Sequence, residues 1–298
     1  MSDDPSDHHG PAGADDGLPH LPPVASGTPS GQKAAGRAAR LANKAARQAA
    51  FKVSGKDNVV QHGRRVKLAG YIEGDRNRVE IKAAGETFNL QLEIRGNDNL
   101  VQIEENAAIR GLTVYIGNHV PAHQVRLEIG RNFSISRGGV FYLFNSGSRL
   151  RFGDDCLLSY NTVIRCGDSP HLIFDRGSGQ YLDLSASVEI GNRVWIGEGV
   201  YLGKRAGLAD DTIVAARAVV TKPFDESFVA VGGNPARVIR RNVEWVRNPG
   251  LLVPGSPQHA SYHAQVARFD HSCDRGAYPE DGASFDIAAL PDMTQADT

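Results

Sequence analysis

Counting in sixes from Leu184, the chain sets a large aliphatic residue at Leu184, Ile190, Ile196, Leu202, Leu208, Val214 and Val220. The residue after each is small: Ser185, Gly191, Gly197, Gly203, Ala209, Ala215 and Thr221. Four places after each aliphatic comes Val188, Val194, Val200, Ala206, Thr212, Ala218 and finally Phe224, a second column that stays apolar or small until the last turn. A period of six fits neither an amphipathic helix nor an alternating strand. It is the signature of a solenoid, in which each hexad is a short flat strand plus a corner and three hexads close one triangular coil.

The pattern extends backwards with lower regularity. Val53-x-Gly55-x-x-Asn58, Ile72-x-Gly74-x-x-Asn77 and Ile94-x-Gly96-x-x-Asn99 recur at about one coil's length, and Val79, Ile81, Val101 and Ile103 follow as alternating strand positions. Gly and Asn both tolerate the left-handed backbone of a tight corner, which is the role this reading gives them. Further hexads begin at Ile103, Ile109, Ile129, Ile135 and Phe141, with slips near Ala122 and Gly147. Phe152, Leu158 and Ile164 begin three more, after which the phase is lost until Leu184. A loop over about 166–183 is therefore thrown out of the coil, and long loops in a regular scaffold are where function concentrates. It carries Asp168, Ser169, Pro170, His171 and Asp175.

The expected organisation is an all-β solenoid over 52–242. A polar tail over 1–32 is too poor in apolar residues to order itself. An Ala-rich helix over 33–51 carries Lys33, Arg37, Arg40, Lys44 and Arg47 along one face, as a solvated cap or a peripheral contact with anionic lipid or acidic glycan. An extension over 243–298 is mostly irregular, with room for a short helix around Ala260 to Phe269. A formal charge of −1 over 298 residues gives no electrostatic case for nucleic acid. No apolar run reaches membrane-spanning length, the start lacks the form of a signal peptide, and Cys156, Cys166 and Cys273 have no metal or redox spacing. A reduced, cytoplasmic setting is expected, in reach of the inner face of the membrane. His119 and His123 lack a third partner at coil spacing, so no metal is expected.

Three runs, 188–197 (VEIGNRVWIG), 218–222 (AVVTK) and 233–240 (GNPARVIR), resemble the closing half of hexapeptide-repeat acyltransferases, above all the branch that O-acetylates cell-surface polysaccharides. The resemblance covers roughly Phe152 to Trp245. It implies a left-handed parallel β-helix, an exception to the usual crossover hand, assembled as a homotrimer and using acetyl-CoA as co-substrate, with a glycan or sugar acceptor. It further implies that His171 is the general base and that Trp195 lines the acetyl site, where its indole N–H is able to stabilise an oxyanion. Coenzyme A would lie in a groove between subunits near Trp195, Gly197, Ala215, Arg217, Lys222, Arg237 and Arg240.

The chemistry accounts for a histidine there. A sugar hydroxyl attacking a thioester must lose its proton as the bond forms, and imidazole titrates in the useful range. A carboxylate on the other ring nitrogen would fix the tautomer, and Asp168, Asp175 and Glu189 are all candidates. The family spelling has Asp-Ser-His, whereas Pro170 intervenes here. Cys166, beside the loop, is the one residue that would open a covalent route. Alternation along the strand points Trp195 outward, and Tyr201, Gly207, Ile213 and Val219 share its place in the hexad, which predicts one apolar outer face for a subunit interface. The acceptor is not legible; an N-acyltransferase on an amino sugar, or a scaffolding solenoid without catalysis, are the competing readings.

Overall fold

The computed structural model describes residues 51–82, 88–105, 108–183 and 187–273, so the expected tail and all of the basic helix but Phe51 lie outside the described residues. The chain winds into a three-faced prism of parallel strands. Face I holds β1 (Lys52–Ser54), β3 (Val66–Glu73), β5 (Phe88–Arg95), β8 (Leu112–Ile116), β11 (Gly139–Leu143), β14 (Val163–Arg165), β17 (Tyr201–Leu202) and β20 (Val219–Val220). Face II holds β2 (Val59–His62), β4 (Arg78–Ile81), β6 (Leu100–Ile103), β9 (Arg126–Ile129), β12 (Arg149–Phe152), β15 (Ser187–Ile190), β18 (Gly207–Leu208) and β21 (Pro223–Phe224). Face III holds β7 (Ala108–Ile109), β10 (Ser134–Ile135), β13 (Leu157–Leu158), β16 (Trp195–Ile196), β19 (Ile213–Val214), β22 (Val229–Gly233) and β23 (Ala236–Arg241). The fold is all-β, a left-handed parallel β-helix. β23 turns back antiparallel on β22 and closes the end of the sheet.

The six-residue period produces this prism because each strand's aliphatic faces the interior. Ile190, Ile196, Leu202, Leu208, Val214 and Val220 are all buried, as are Val188, Val194, Val200, Ala206 and Ala218 in the second column. Each large aliphatic so buried stabilises by roughly 1.5–3 kcal/mol. Thr212 fits the same column by donating its hydroxyl to the Ala209 carbonyl at 2.8 Å. In the middle coils Phe152 packs between Phe133 and Phe141, with ring centroids 5.0 and 5.6 Å away. A parallel strand next meets its equivalent one full coil later, as Trp195 meets Ile213 and Tyr201 meets Val219.

That register corrects one expectation. Residues six apart occupy successive faces, so Trp195 and Ile213 lie on face III, Tyr201 and Val219 on face I, and Gly207 on face II. They do not form a single apolar side.

The early corners also differ from expectation in how they work. Gly55, Gly74 and Gly96 have φ of 107°, 137° and 136°, and a Cβ on Gly74 would stand 2.0 Å from the Gly96 carbonyl oxygen, so glycine is required there. The asparagines do not supply left-handed backbone; Asp57, Arg76 and Asp98, just before them, do. Instead the asparagine side chains stack as a hydrogen-bond ladder. Asn77 donates its backbone N–H to Asn58 Oδ1 at 2.9 Å and its Nδ2 to the Gly96 carbonyl at 2.9 Å, and Asn99 Nδ2 donates to Asn77 Oδ1 at 2.9 Å. Asn77 and Asn99 are buried, and the ladder satisfies corner groups that would otherwise be stranded.

Beyond the prism, α1 (Pro257–Cys273) exceeds the short helix read from the sequence. Among the described residues no helix is long and apolar enough to cross a membrane.

Candidate functional site

The long loop leaves face I after β14 and re-enters on face II at β15, so it emerges from the edge between these faces. Its base is bolted to neighbouring coils. Asp183 is buried; one carboxylate oxygen accepts from Lys204 Nζ at 2.7 Å, the other from Asn145 Nδ2 at 2.9 Å and the Asp168 backbone N–H at 2.8 Å. Lys204 also donates to Asp168 at 2.6 Å, and Arg165 Nε stands 3.4 Å from the other Asp168 oxygen. Ser169 donates its N–H to Asn145 Oδ1 at 3.1 Å, and its carbonyl accepts from Asn118 Nδ2 at 3.1 Å. Burial alone would raise the Asp183 pKa, but the donors from Lys204, Asn145 and Asp168 together hold it below the usual carboxylate range. Burial likewise works against the Lys204 ammonium, and its bonds to Asp168 and Asp183 prevail and raise it.

Beyond this base, residues 171–182 form a small exposed arm. Phe174 and Tyr181 make an antiparallel bridge, with their rings 5.5 Å apart, and Leu182 donates its N–H to the Ile173 carbonyl at 2.8 Å. Asp175 closes the tip by accepting from the Gly177 and Ser178 backbone N–H groups and the Ser178 hydroxyl. Those bonds hold its carboxyl below the usual range. Leu172, Ile173, Phe174 and Leu182 are all exposed, an unusual cluster of apolar side chains on one arm.

His171 sits where the bolted base becomes the arm. Its backbone N–H donates to the Asp168 carbonyl at 3.1 Å, and its ring is exposed. Neither Asp168 nor Asp175 is bonded to that ring: the first is committed to Lys204 and Arg165, the second to its own turn. Glu189 lies on face II, 3.9 Å from Arg149. Cys166 points into the core, where burial pushes its thiol up to about 12, so it is no nucleophile at neutral pH.

Trp195 lies on face III, the face opposite the edge that carries the loop. Its Nε1 donates to Ser159 Oγ at 3.3 Å, and its ring is tilted against Trp245, 6.0 Å between centroids. Gly197 and Ala215 follow β16 and β19 at the end of this face, and Arg237 and Arg240 extend from β23. Arg217 has positive φ and stands 3.7 Å from Glu198. Lys222 is apart from these, at the edge between faces I and II, with its ammonium 5.6 Å from the Phe224 ring. Within one chain, the residues read as a site thus fall into two groups on opposite sides of the prism.

Two residues of this region escaped the sequence reading. Trp245 caps Trp195 and donates its Nε1 to the Arg193 carbonyl at 2.7 Å. Arg247, half-buried, donates to Ser134 Oγ at 2.5 Å and to the Asn132 and Asp155 carbonyls at 3.1 and 3.2 Å. Together they strap the segment after β23 across face III. Outside the repeat there was no periodicity to reveal this, and an isolated tryptophan was the one signal. Among the described residues no group of three His, Cys, Asp or Glu side chains is placed to hold a metal.

No family model matches the chain. Known proteins do. It is 28% identical over 169 residues to a polysialic acid O-acetyltransferase of Escherichia coli O1:K1, covering 56% of this chain and 52% of that protein. It is 26% identical over 192 residues to a polysialic acid O-acetyltransferase of Neisseria meningitidis, covering 59% and 88%. The crystal structure of a polySia-specific acetyltransferase superposes with a TM-score of 0.60 at 24% identity, over 73% of this chain and 98% of that one. The chain is similar to these polysaccharide O-acetyltransferases in sequence and shares the parallel β-helix of the solved one. The match spans about half the length of the first of these relatives and most of the second.

Proposed function

We propose that this hexapeptide-repeat protein transfers an acetyl group from acetyl-CoA to a hydroxyl of a cell-surface polysaccharide or its sugar precursor. The observation that carries the reading is the exposed His171 at the root of an arm whose base is fixed by a buried charge network, in a chain similar to polysialic acid O-acetyltransferases. A base must be held still relative to its substrate and yet be reachable, and the Asp183–Lys204–Asn145 base with an open imidazole above it meets both needs.

The donor supplies a thioester carbonyl that the acceptor oxygen attacks. His171 takes the hydroxyl proton as that bond forms and returns a proton to the departing thiolate. The buried, strongly raised thiols of Cys156 and Cys166 favour direct transfer over a covalent enzyme intermediate. Arg237 and Arg240 are exposed and, among the described residues, neither is tied to a carboxylate, which suits them to phosphate oxygens of a nucleotide. Asp168 acts on His171 through the backbone turn rather than by fixing the ring's tautomer.

His171 and Trp195 lie on opposite sides of one prism, so a reaction that uses both needs two copies. A homotrimer in which the arm of one copy reaches face III of the next would cover Leu172, Ile173 and Phe174 and bring Trp195 to the histidine. The test is transfer of labelled acetyl from acetyl-CoA to bacterial polysaccharides by wild type, His171→Ala, Trp195→Ala, and a co-assembled mixture of the two variants. Each variant alone should be inactive and the mixture active. An active Trp195→Ala protein, or a mixture as inactive as its parts, would remove the shared site.

A further inference from the structure

The first face carries a column that the acetyl-transfer reading leaves unused. Strand register stacks Tyr71, Glu93, Tyr115, Tyr142 and Arg165 on successive coils, all pointing outward and half-buried. Tyr115 and Tyr142 are parallel, 5.6 Å between centroids at an interplanar angle of 9°. Phe144 leans on Tyr142 at 5.2 Å, and the Arg165 guanidinium lies 5.5 and 5.4 Å from these two rings. Along the column runs an open groove of about 410 Å³, whose polar lining includes Glu93, Arg95, Asn118 and His119. With strands about 4.8 Å apart, the four steps from Tyr71 to Arg165 span roughly 19 Å.

This groove is tied to the base of the His171 loop through Asn118. Arg95 Nη1 donates to the Asn118 carbonyl at 3.1 Å, and Asn118 Nδ2 donates to Ser169, two residues before His171. At the far rung Arg165 meets Asp168 in the bolted loop base. We propose that the groove is a subsite for an extended saccharide chain, laid along the Tyr71–Arg165 column so that a unit beyond Arg165 meets His171. The chemistry fits a glycan. Flat aromatic faces take the apolar C–H faces of pyranose rings, while Glu93 and Arg95 in the lining bond hydroxyl or carboxylate groups.

A second copy of the chain is the other occupant to weigh. The neighbouring outward column on face I, Val140, Val163, Tyr201 and Val219, suits a dry protein contact better. Carboxylates such as Glu93 are depleted from the centres of such contacts. The proposal rests on the polysaccharide reading but is tested without turnover.

The experiment is binding of full-length His171→Ala protein, in the absence of any acetyl donor, to immobilised polysialic acid oligomers and neutral maltooligosaccharides of graded length. Retention should rise with chain length over the first few units for at least one of the two. Tyr115→Leu/Tyr142→Leu in the same background keeps apolar bulk and strand preference while removing both ring faces, and it should weaken retention by roughly tenfold or more. Sedimentation and a melting curve on both proteins check assembly and folding; if the Leu pair misfolds, Glu93→Gln/Arg95→Gln provides the same reading. No retention of either glycan, retention unchanged by the variants, or variants that dissociate the oligomer would overturn the proposal. Failure of acetyl transfer with binding intact would instead overturn the catalytic reading alone.

Discussion

Replacing Lys204 by methionine removes the cation that is bonded to buried Asp183 at the root of the His171 loop while keeping an apolar stem. In the native chain its ammonium is 2.7 Å from Asp183 and 2.6 Å from Asp168. Asp183 has no exposed side-chain surface, whereas about a third of Asp168 is open to water, so the Asp183 contact sets the cost. Breaking a fully buried pair costs about 3–5 kcal/mol. Here Asp183 keeps Asn145 and the Asp168 N–H, and Lys204 itself is partly solvated, so about 2 kcal/mol is expected once those remaining donors and solvent screening are counted. For a chain of this size that is a fall of about 4–8 °C in the melting midpoint. Amide exchange should rise first at residues 168–183, because a solenoid opens locally.

The pH dependence has a definite sign. The Asp183 pKa is depressed in the folded chain, so its contribution is present above the unfolded value of about 3.9 and lost as pH falls through the folded value. The Lys204 pKa is raised, so its contribution is present below about 10.4 and lost as pH rises through its folded value. The gap between wild type and Lys204→Met should therefore be full between about pH 4 and 10 and close outside that window. Asp183→Asn should cost much less in the Lys204→Met background than in wild type. A Lys204→Met protein within about 0.5 kcal/mol of wild type at pH 7, or strict additivity with Asp183→Asn, would refute the network.

Gly74→Ala puts a Cβ 2.0 Å from the Gly96 carbonyl oxygen at φ 137°, and should destabilise by at least about 2 kcal/mol in urea unfolding; an unchanged midpoint would contradict the corner geometry. Trp195 and Trp245 are the chain's two tryptophans, so Trp245→Phe should alter the Trp195 emission directly, and an unchanged spectrum would mean that the strap does not cover that ring. Iodoacetamide at pH 8 should leave Cys156 and Cys166 unlabelled in the folded protein and label both after denaturation, since burial raises both thiols to about 12; fast native labelling of Cys166 with loss of activity would reopen a covalent route.

The prism was legible because its period is enforced by packing: a residue that fills the interior must recur every six positions, and Ile190 through Val220 do so without a slip. The loop was legible as the one long break in that phase. What the period conceals is which face a position occupies, because three faces share one hexad pattern. Trp195 and Tyr201 look equivalent in sequence and stand on different faces. The asparagine ladder shows a second limit, since Asn77 is conspicuous by residue type, but its partner Asn58 is a coil away. Lys204 is a corner residue like many others until Asp183 is seen beneath it. Trp245 and Arg247 lie past the repeat, where no pattern reports the face they cover.

Steady-state acetyl transfer by wild type and His171→Ala, with melting curves on both, decides whether His171 removes the acceptor proton as proposed. The His171 ring is exposed and makes no bond to either loop aspartate, so the substitution should leave the midpoint unchanged while lowering kcat by roughly 10²–10⁴-fold. A stable His171→Ala protein that still transfers acetyl groups at the wild-type rate would contradict it.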